Sequence, residues 1–325
     1  MQDQFLRQIN YLRISITDRC NMRCKYCMPS EGVQWMPHEY ILTFEEILRL
    51  MKISTQLGFH RFRITGGEPL VRKGLLDFLR EAAQLPGVED LMLTTNGMLL
   101  PEMAFDLKKA GVQRVNISLD TMDPQRFSEN TRGGDVTKVI QGIFRSLEAG
   151  LNPVKINVVV VRDFNTMELP DFLTLAKEYP LHVRFIELMP IGVSSGHRSE
   201  FVPITEMKEI LGIDEDFATR TQAILGGGPA EYYQPRGYNG SVGFISALSR
   251  HFCGTCNRVR LTADGKLRPC LHSKHEISLR EALRDGSNDS EILKLFAEAV
   301  WHKPAEHHMN NQAWQDTRVM SQIGG

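Results

Sequence analysis

The sequence has no surplus of charge of one sign: 38 Lys and Arg stand against 39 Asp and Glu, a formal net charge of −1 at pH 7. That balance argues against a broad nucleic-acid-binding face, while a local basic pocket remains open to it if the cations are unevenly placed. Long apolar runs are absent too. The longest, Val158-Val159-Val160-Val161, falls far short of the roughly 20 residues that cross a bilayer, so no membrane partner is expected. The opening MQDQFLRQINYLRISITDRC lacks the basic, apolar and small-residue succession of a secretory leader. The expected setting is therefore cytoplasmic, where thiols stay reduced and disulfides are rare. There is no internal repeat and no low-complexity tract, and 42% hydrophobic with 24% charged residues excludes wholesale disorder or a fibre. A chain of 325 residues can bury its own core without staples.

Six cysteines are present, and they fall into two triplets with none left over: Cys20, Cys24, Cys27 and Cys253, Cys256, Cys270. In a reducing compartment such clusters point to metal or cluster ligands before disulfides.

Apolar strand-like runs at 12–17, 61–65, 91–95, 114–119, 155–161 and 183–187 alternate with helical spacing at 44–57, 75–83, 102–110, 136–149 and 169–177. This alternation predicts βα units around a parallel sheet. Period two puts Leu12, Ile14 and Ile16 on one strand face and Arg13, Ser15 and Thr17 on the other. Phe62 and Ile64 likewise oppose Arg61, Arg63 and Thr65, and Val115, Ile117 and Leu119 oppose Asn116, Ser118 and Asp120. A parallel sheet covered on both sides should read as nearly continuous apolar sequence. One polar, basic face instead predicts an α/β fold, an incomplete (β/α)6 TIM-like barrel with helices outside and a polar ligand on the concave side; a flat sheet with one solvated face is the alternative. After about Pro190 the pattern weakens, and Gly226-Gly227-Gly228-Pro229 reads as a connector. The expected division is 1–225, the barrel with its first cysteine loop, and 226–325, a smaller section with the second triplet and a hairpin around Ala263-Asp264-Gly265-Lys266.

Cys20-x-x-x-Cys24-x-x-Cys27 follows the first strand, at the carboxyl end of the sheet where βα enzymes assemble their sites. Three thiolates can hold three corners of a cubane cluster and leave the fourth iron open to a small molecule. A zinc site completed by His38 or His60 is the competing reading. The stretch Cys20-Asn21-Met22-Arg23-Cys24-Lys25-Tyr26-Cys27 resembles the cysteine signature of the radical S-adenosylmethionine (SAM) superfamily. Gly66-Gly67-Glu68-Pro69, Thr94-Thr95-Asn96-Gly97 and Asn116-Ile117-Ser118-Leu119-Asp120 stand where that superfamily has its cofactor loops. The resemblance implies a [4Fe-4S] cluster on the first triplet and SAM in contact with Tyr26, Gly67, Ser118 and Met189.

For the second triplet, spacing alone does not choose between a cluster and a Cys3His zinc site completed by His272. Cys253-Gly254-Thr255-Cys256-Asn257-Arg258-Val259-Arg260 resembles the C-terminal signature of the GTP-cyclising family of molybdenum cofactor biosynthesis. Tyr11–Cys20 by sequence, Val183-Arg184-Phe185-Ile186-Glu187-Leu188-Met189 and the terminal Gly324-Gly325 carry the same likeness. That family resemblance implies a second [4Fe-4S] cluster with an open iron for the purine, and a Gly324-Gly325 tail reaching the active site. The basic residues agree: buried Arg13, Arg61, Arg63, Lys155 and Arg184 need anionic partners, which a triphosphate would supply, or else carboxylates such as Glu68, Asp120 and Glu187. With Thr94, Arg258, Val259 and Arg260 they are the expected GTP contacts. The implied reaction is radical cyclisation of GTP to (8S)-3′,8-cyclo-7,8-dihydroguanosine 5′-triphosphate. It also implies a reducing electron donor and a downstream enzyme that forms a cyclic pyranopterin; a homodimer stays open.

Overall fold

The computed structural model describes residues 1–196, 198–214, 218–221, 228–309 and 318–324. Among them, twelve strands form one sheet. They are β1 Tyr11–Ser15, β2 Arg61–Thr65, β3 Asp90–Thr95, β4 Arg114–Ser118, β5 Val154–Val160, β6 Leu181–Glu187, β7 Ala218–Thr221, β8 Glu231–Pro235, β9 Ser241–Ile245, β10 Arg258–Leu261, β11 Lys266–Arg268 and β12 Ile277–Ser278. Their order is β12-β11-β10-β1-β2-β3-β4-β5-β6-β9-β8-β7. From β10 through β9 all neighbours are parallel, and short antiparallel pairs flank them. The two end strands do not pair, so the barrel stays open, as the alternating faces predicted.

Helices α1 Phe44–Thr55, α2 Leu75–Gln84 and α3 Leu100–Lys109 follow β1, β2 and β3; α4 Pro124–Thr131 and α5 Val136–Glu148 follow β4, and α6 Leu169–Glu178 follows β5. Their buried stripes join the apolar strand face in one core containing Leu12, Ile14, Phe62, Ile64, Val115 and Ile117. Helix α1 shows why they form where they do. Ile47, Leu50, Met51 and Ser54 recur on one buried face, and Thr43 accepts the Glu46 N–H at 3.2 Å while the Glu46 carboxylate accepts the Thr43 N–H at 2.8 Å. Such a cap contributes about 1 kcal/mol. Beyond β6 come α7 Ile204–Leu211, α8 Leu279–Arg284, α9 Asp289–Trp301 and a one-turn α10, Met320–Ile323.

Two features exceed the sequence expectation. Helix α4, PQRFSENT, is mostly polar and buries only Phe127, Asn130 and Thr131, so it carries little apolar periodicity. The residues beyond β6 also widen the parallel sheet, with β9 beside β6 and β10 beside β1. The hairpin at Ala263–Lys266 by sequence is present, joining β10 to β11 with Gly265 at a φ of 76°. Gly226 and Gly227 lie outside the described residues. Among the described residues no helix is long and apolar enough to cross a membrane.

Candidate active site

The loop after β1 is shaped by close backbone packing. The Gly67 N–H donates to Thr17 O at 2.7 Å and the Glu68 N–H to Arg19 O at 2.8 Å. A Cβ on Gly66 would stand 2.7 Å from Thr17 O, and one on Gly67 would overlap the Arg19 carbonyl and stand 2.8 Å from Asp18 O. Only glycine permits this approach. Helix α4 grips the other side of the loop: the Arg23 N–H donates to Thr131 O at 3.0 Å and the Lys25 N–H to Asn130 O at 2.9 Å. Arg132 donates to the carbonyls of Arg23 (2.7 Å) and Met28 (3.0 Å).

Burial pushes the Cys20 thiol up to about 11 and the Cys27 thiol up to about 12, and raises Cys24 well above the ordinary range, with the neighbouring thiols adding to it. Such thiols give up their protons only when a cation takes the protons' place. The Asn96 amide lies 3.8 Å from Cys20 Sγ and donates to Asn21 at 2.7 Å. Glu68 is buried and accepts from the Leu70 N–H (3.0 Å), the Thr95 hydroxyl (2.7 Å) and the Asn96 N–H (2.7 Å), while burial pushes its carboxyl up to about 7. Tyr26 hydrogen-bonds Asp120, which also accepts the Val159 N–H at 2.9 Å. Met189 is half-buried against an apolar group of Ile191, Met309 and Ile323.

Residues directly paired in parallel strands share a face. The register sets Arg258, Tyr11 and Arg61 in one row and Arg260, Arg13 and Arg63 in the next. Further along, Thr94, Asn116, Lys155 and His182 form a row, as do Ser118, Asn157 and Arg184. All the sequence-predicted basic residues therefore occupy one face. Val259 does not: it pairs with Leu12 on the opposite face and is fully buried in the apolar core. Period two turns its side chain away from its arginine neighbours, so what it offers the polar face is main chain.

The three carboxylates weighed as internal partners are engaged elsewhere. Glu68 and Asp120 accept the bonds above, and Glu187 accepts the N–H groups of Ile204 (3.2 Å), Leu248 (2.7 Å) and Ser249 (3.0 Å). Arg63 donates to Leu93 O (3.1 Å), the Thr94 hydroxyl (3.3 Å) and the Tyr11 hydroxyl; Arg184 donates to Asn157 Oδ1. The cations burden one another. Burial, then the charges of Arg184, Arg114 and Arg63, bring Lys155 down to about 6, and burial with Lys155 and Arg184 brings His182 down to about 4. A face that penalises its own positive charges is suited to a polyanion. Sequence reasoning missed His182, Arg114 and Tyr232, whose ring lies 5.2 Å under Lys155 Nζ. Extending the alternation toward the amino ends of β4 and β6 would have found the first two.

Cys256 stands two residues before β10 and Cys270 two after β11, at the amino end of β10. Because β10 and β1 are parallel neighbours, the two triplets lie at opposite ends of the same polar face. Burial opposes ionisation of Cys256, yet the charges of Lys303 and Arg258 bring it down to about 7. Arg7 and Lys303, both buried, hold the main chain here; no motif in the sequence singled them out. The tail enters the same face: Gly324 O accepts from Arg13 (3.3 Å), Arg260 (3.4 Å) and the Thr65 hydroxyl (3.2 Å). Gly325 lies outside the described residues.

Each triplet offers three free thiols, a donor set that can hold three corners of a cubane and leave one iron open. His60 is distant for a plain reason, since it precedes β2 at the amino end of the sheet and bonds Gly58 O.

Residues 14–176 match the Radical SAM superfamily and residues 181–309 match Molybdenum Cofactor Synthesis C. The chain is 53% identical over 331 residues to a protein of Moorella thermoacetica named GTP 3′,8-cyclase, covering 100% of both. It is 53% identical over 327 residues to one of the same name from Heliobacterium modesticaldum, again covering 100% of both. Among solved structures, Streptococcus suis SuiB bound to S-adenosylmethionine gives a TM-score of 0.60 at 14% identity, over 89% of this chain and 66% of that one. The structure of anSMEcpe with bound AdoMet gives 0.58 at 19%, over 88% and 80%. These two share the fold. An open parallel barrel with a cysteine loop after its first strand, matched along its full length at half identity, makes this chain a member of the radical SAM superfamily and, within it, of the GTP 3′,8-cyclase family.

Proposed function

We propose that this chain cyclises GTP to (8S)-3′,8-cyclo-7,8-dihydroguanosine 5′-triphosphate, the first step of molybdenum cofactor biosynthesis. The observation that carries this reading is one basic sheet face running between two cysteine triplets at its opposite ends. Cys20, Cys24 and Cys27 would hold one [4Fe-4S] cluster and Cys253, Cys256 and Cys270 a second. When bound, these groups and SAM would supply the one-electron chemistry that removes the GTP 3′ hydrogen and closes the ribose onto C8, with one electron from the external donor consumed in SAM cleavage and a second, together with a proton at N7, completing the 7,8-dihydro product.

The protein's own part is placement and exclusion of water. Tyr26, Gly67, Ser118 and Met189 face SAM. Arg61, Arg63, Lys155 and Arg184, with Thr94, receive the triphosphate, while Arg258 and Arg260 hold the base beside the second triplet and Arg13 links the two groups through Gly324. Residues 1–225 serve as the radical-generating part and 226–325 as the part that orients the substrate. The setting is the reducing cytoplasm, with an external one-electron donor and a downstream enzyme that converts the product to a cyclic pyranopterin; a homodimer is compatible with this reading. The test is anaerobic reconstitution with iron and sulfide, then incubation with GTP, SAM and dithionite. The expected products are 5′-deoxyadenosine and a 3′,8-cyclised nucleotide; GTP left intact would contradict the assignment.

A further inference from the structure

Two buried cations outside the substrate face grip the second cysteine triplet. Lys303 is 2% exposed. Its Nζ donates to Arg258 O at 2.9 Å and Pro269 O at 2.7 Å, and it hydrogen-bonds the Cys256 sulfur. Pro269 directly precedes Cys270, and Arg258 stands two residues after Cys256. Arg7 donates to the carbonyl of Cys253 itself at 2.8 Å. It also donates to the carbonyls of Lys303 (3.4 Å), Pro304 (2.7 Å) and Ala305 (2.9 Å), so it fixes the segment that delivers Lys303. Asp3 neutralises Arg7 through an ion pair of 2.6 Å. Lys303 has no such counterion: among the described residues no ion pair joins its ammonium to a carboxylate.

A buried ammonium satisfied only by two carbonyls and a sulfur is costly unless negative charge accompanies it. The nearest source of that charge is the three thiolates and whatever they hold. We infer that Lys303 is a positioning residue for the second triplet which also sets a fixed positive charge against the iron–sulfur group there, and that Arg7 acts behind it by holding residues 303–305. This rests on the reading of Cys253, Cys256 and Cys270 as cluster ligands. An adjacent positive charge favours the more reduced, more negative state, so Lys303 raises the potential of that cluster. Arg7 contacts only main chain around the triplet, so its loss loosens the ligands and leaves the local charge in place.

The experiment uses the full-length chain with Cys20, Cys24 and Cys27 all replaced by Ser, so that only the second site takes up iron. Lys303→Gln, which keeps a donor and removes the charge, and Arg7→Gln are each made in that background. Iron and sulfide per chain, helical circular dichroism, loss of iron to a chelator and an EPR-monitored redox titration are compared. Lys303→Gln is expected to move the midpoint to a more negative potential. Arg7→Gln is expected to lose iron several-fold faster with the midpoint unmoved. An unchanged midpoint in Lys303→Gln overturns the inference, as does general loss of helical signal, which would make Lys303 a support of the whole fold. If the parent takes up no iron, the cluster reading itself fails, a result distinct from the other two.

Discussion

Gly67 and Lys155 show how single side chains commit the site to its ligands. A methyl group at Gly67 would collide with the backbone of Arg19 and Asp18, which leads straight into Cys20. Gly67→Ala is therefore expected to lose iron from the first site and SAM cleavage with it, read as iron per chain and 5′-deoxyadenosine formed; iron retained at the parental level would refute the packing argument. Lys155 makes a prediction about protons. Its charge is suppressed, with a pKa brought down to about 6, and a bound triphosphate would restore it. The bound form then holds a proton the free form lacks, so GTP binding above pH 6 should take up a proton, and affinity should fall by up to about tenfold per pH unit as pH rises. Calorimetry in buffers of different ionisation enthalpy measures the uptake; release of a proton would be the wrong sign. The cysteines and the strand arginines were legible because spacing and period two expose them. Arg7 and Lys303 were not, since Arg7 reaches carbonyls 246 to 298 residues away and Lys303 carbonyls 34 and 45 residues away, and main-chain partners leave no pattern.

At the level of elements, the six expected strands are all present, marked by apolar runs of five to seven positions that in β1, β2 and β4 alternate with polar residues. Strand β10 was harder to assign to the sheet. It is four residues long and reaches its partner β1 from the far end of the chain, and short-range pattern cannot specify so remote a neighbour. Helix α4 was missed for lack of an apolar stripe, yet its last carbonyls hold the first cysteine loop. The tail also carries a steric requirement. Gly324 sits at a φ of 86°, and a Cβ there would stand 3.0 Å from Ser15 Cβ. Gly324→Val should dislodge the tail from Arg13 and Arg260, lowering cyclisation at least tenfold while leaving the first cluster bound. Unimpaired cyclisation would show that the tail contact is dispensable.

Across the whole molecule, a net charge of −1 conceals one cationic sheet face, because the buried carboxylates Glu68, Asp120 and Glu187 are engaged with other partners. The opposed triplets divide the labour. Cys24→Ser is expected to abolish SAM cleavage, whereas Cys256→Ser should spare part of it and lose cyclisation; parental product from either variant would undo the division. The central claim is that the radical is directed to the 3′ carbon of a GTP held between the triplets. It is tested most directly by turning over GTP deuterated at C3′ and weighing the 5′-deoxyadenosine formed. Deuterium transferred into 5′-deoxyadenosine, with a cyclised nucleotide that has lost it, is the predicted result; unlabelled 5′-deoxyadenosine with deuterium retained in the nucleotide would contradict the account.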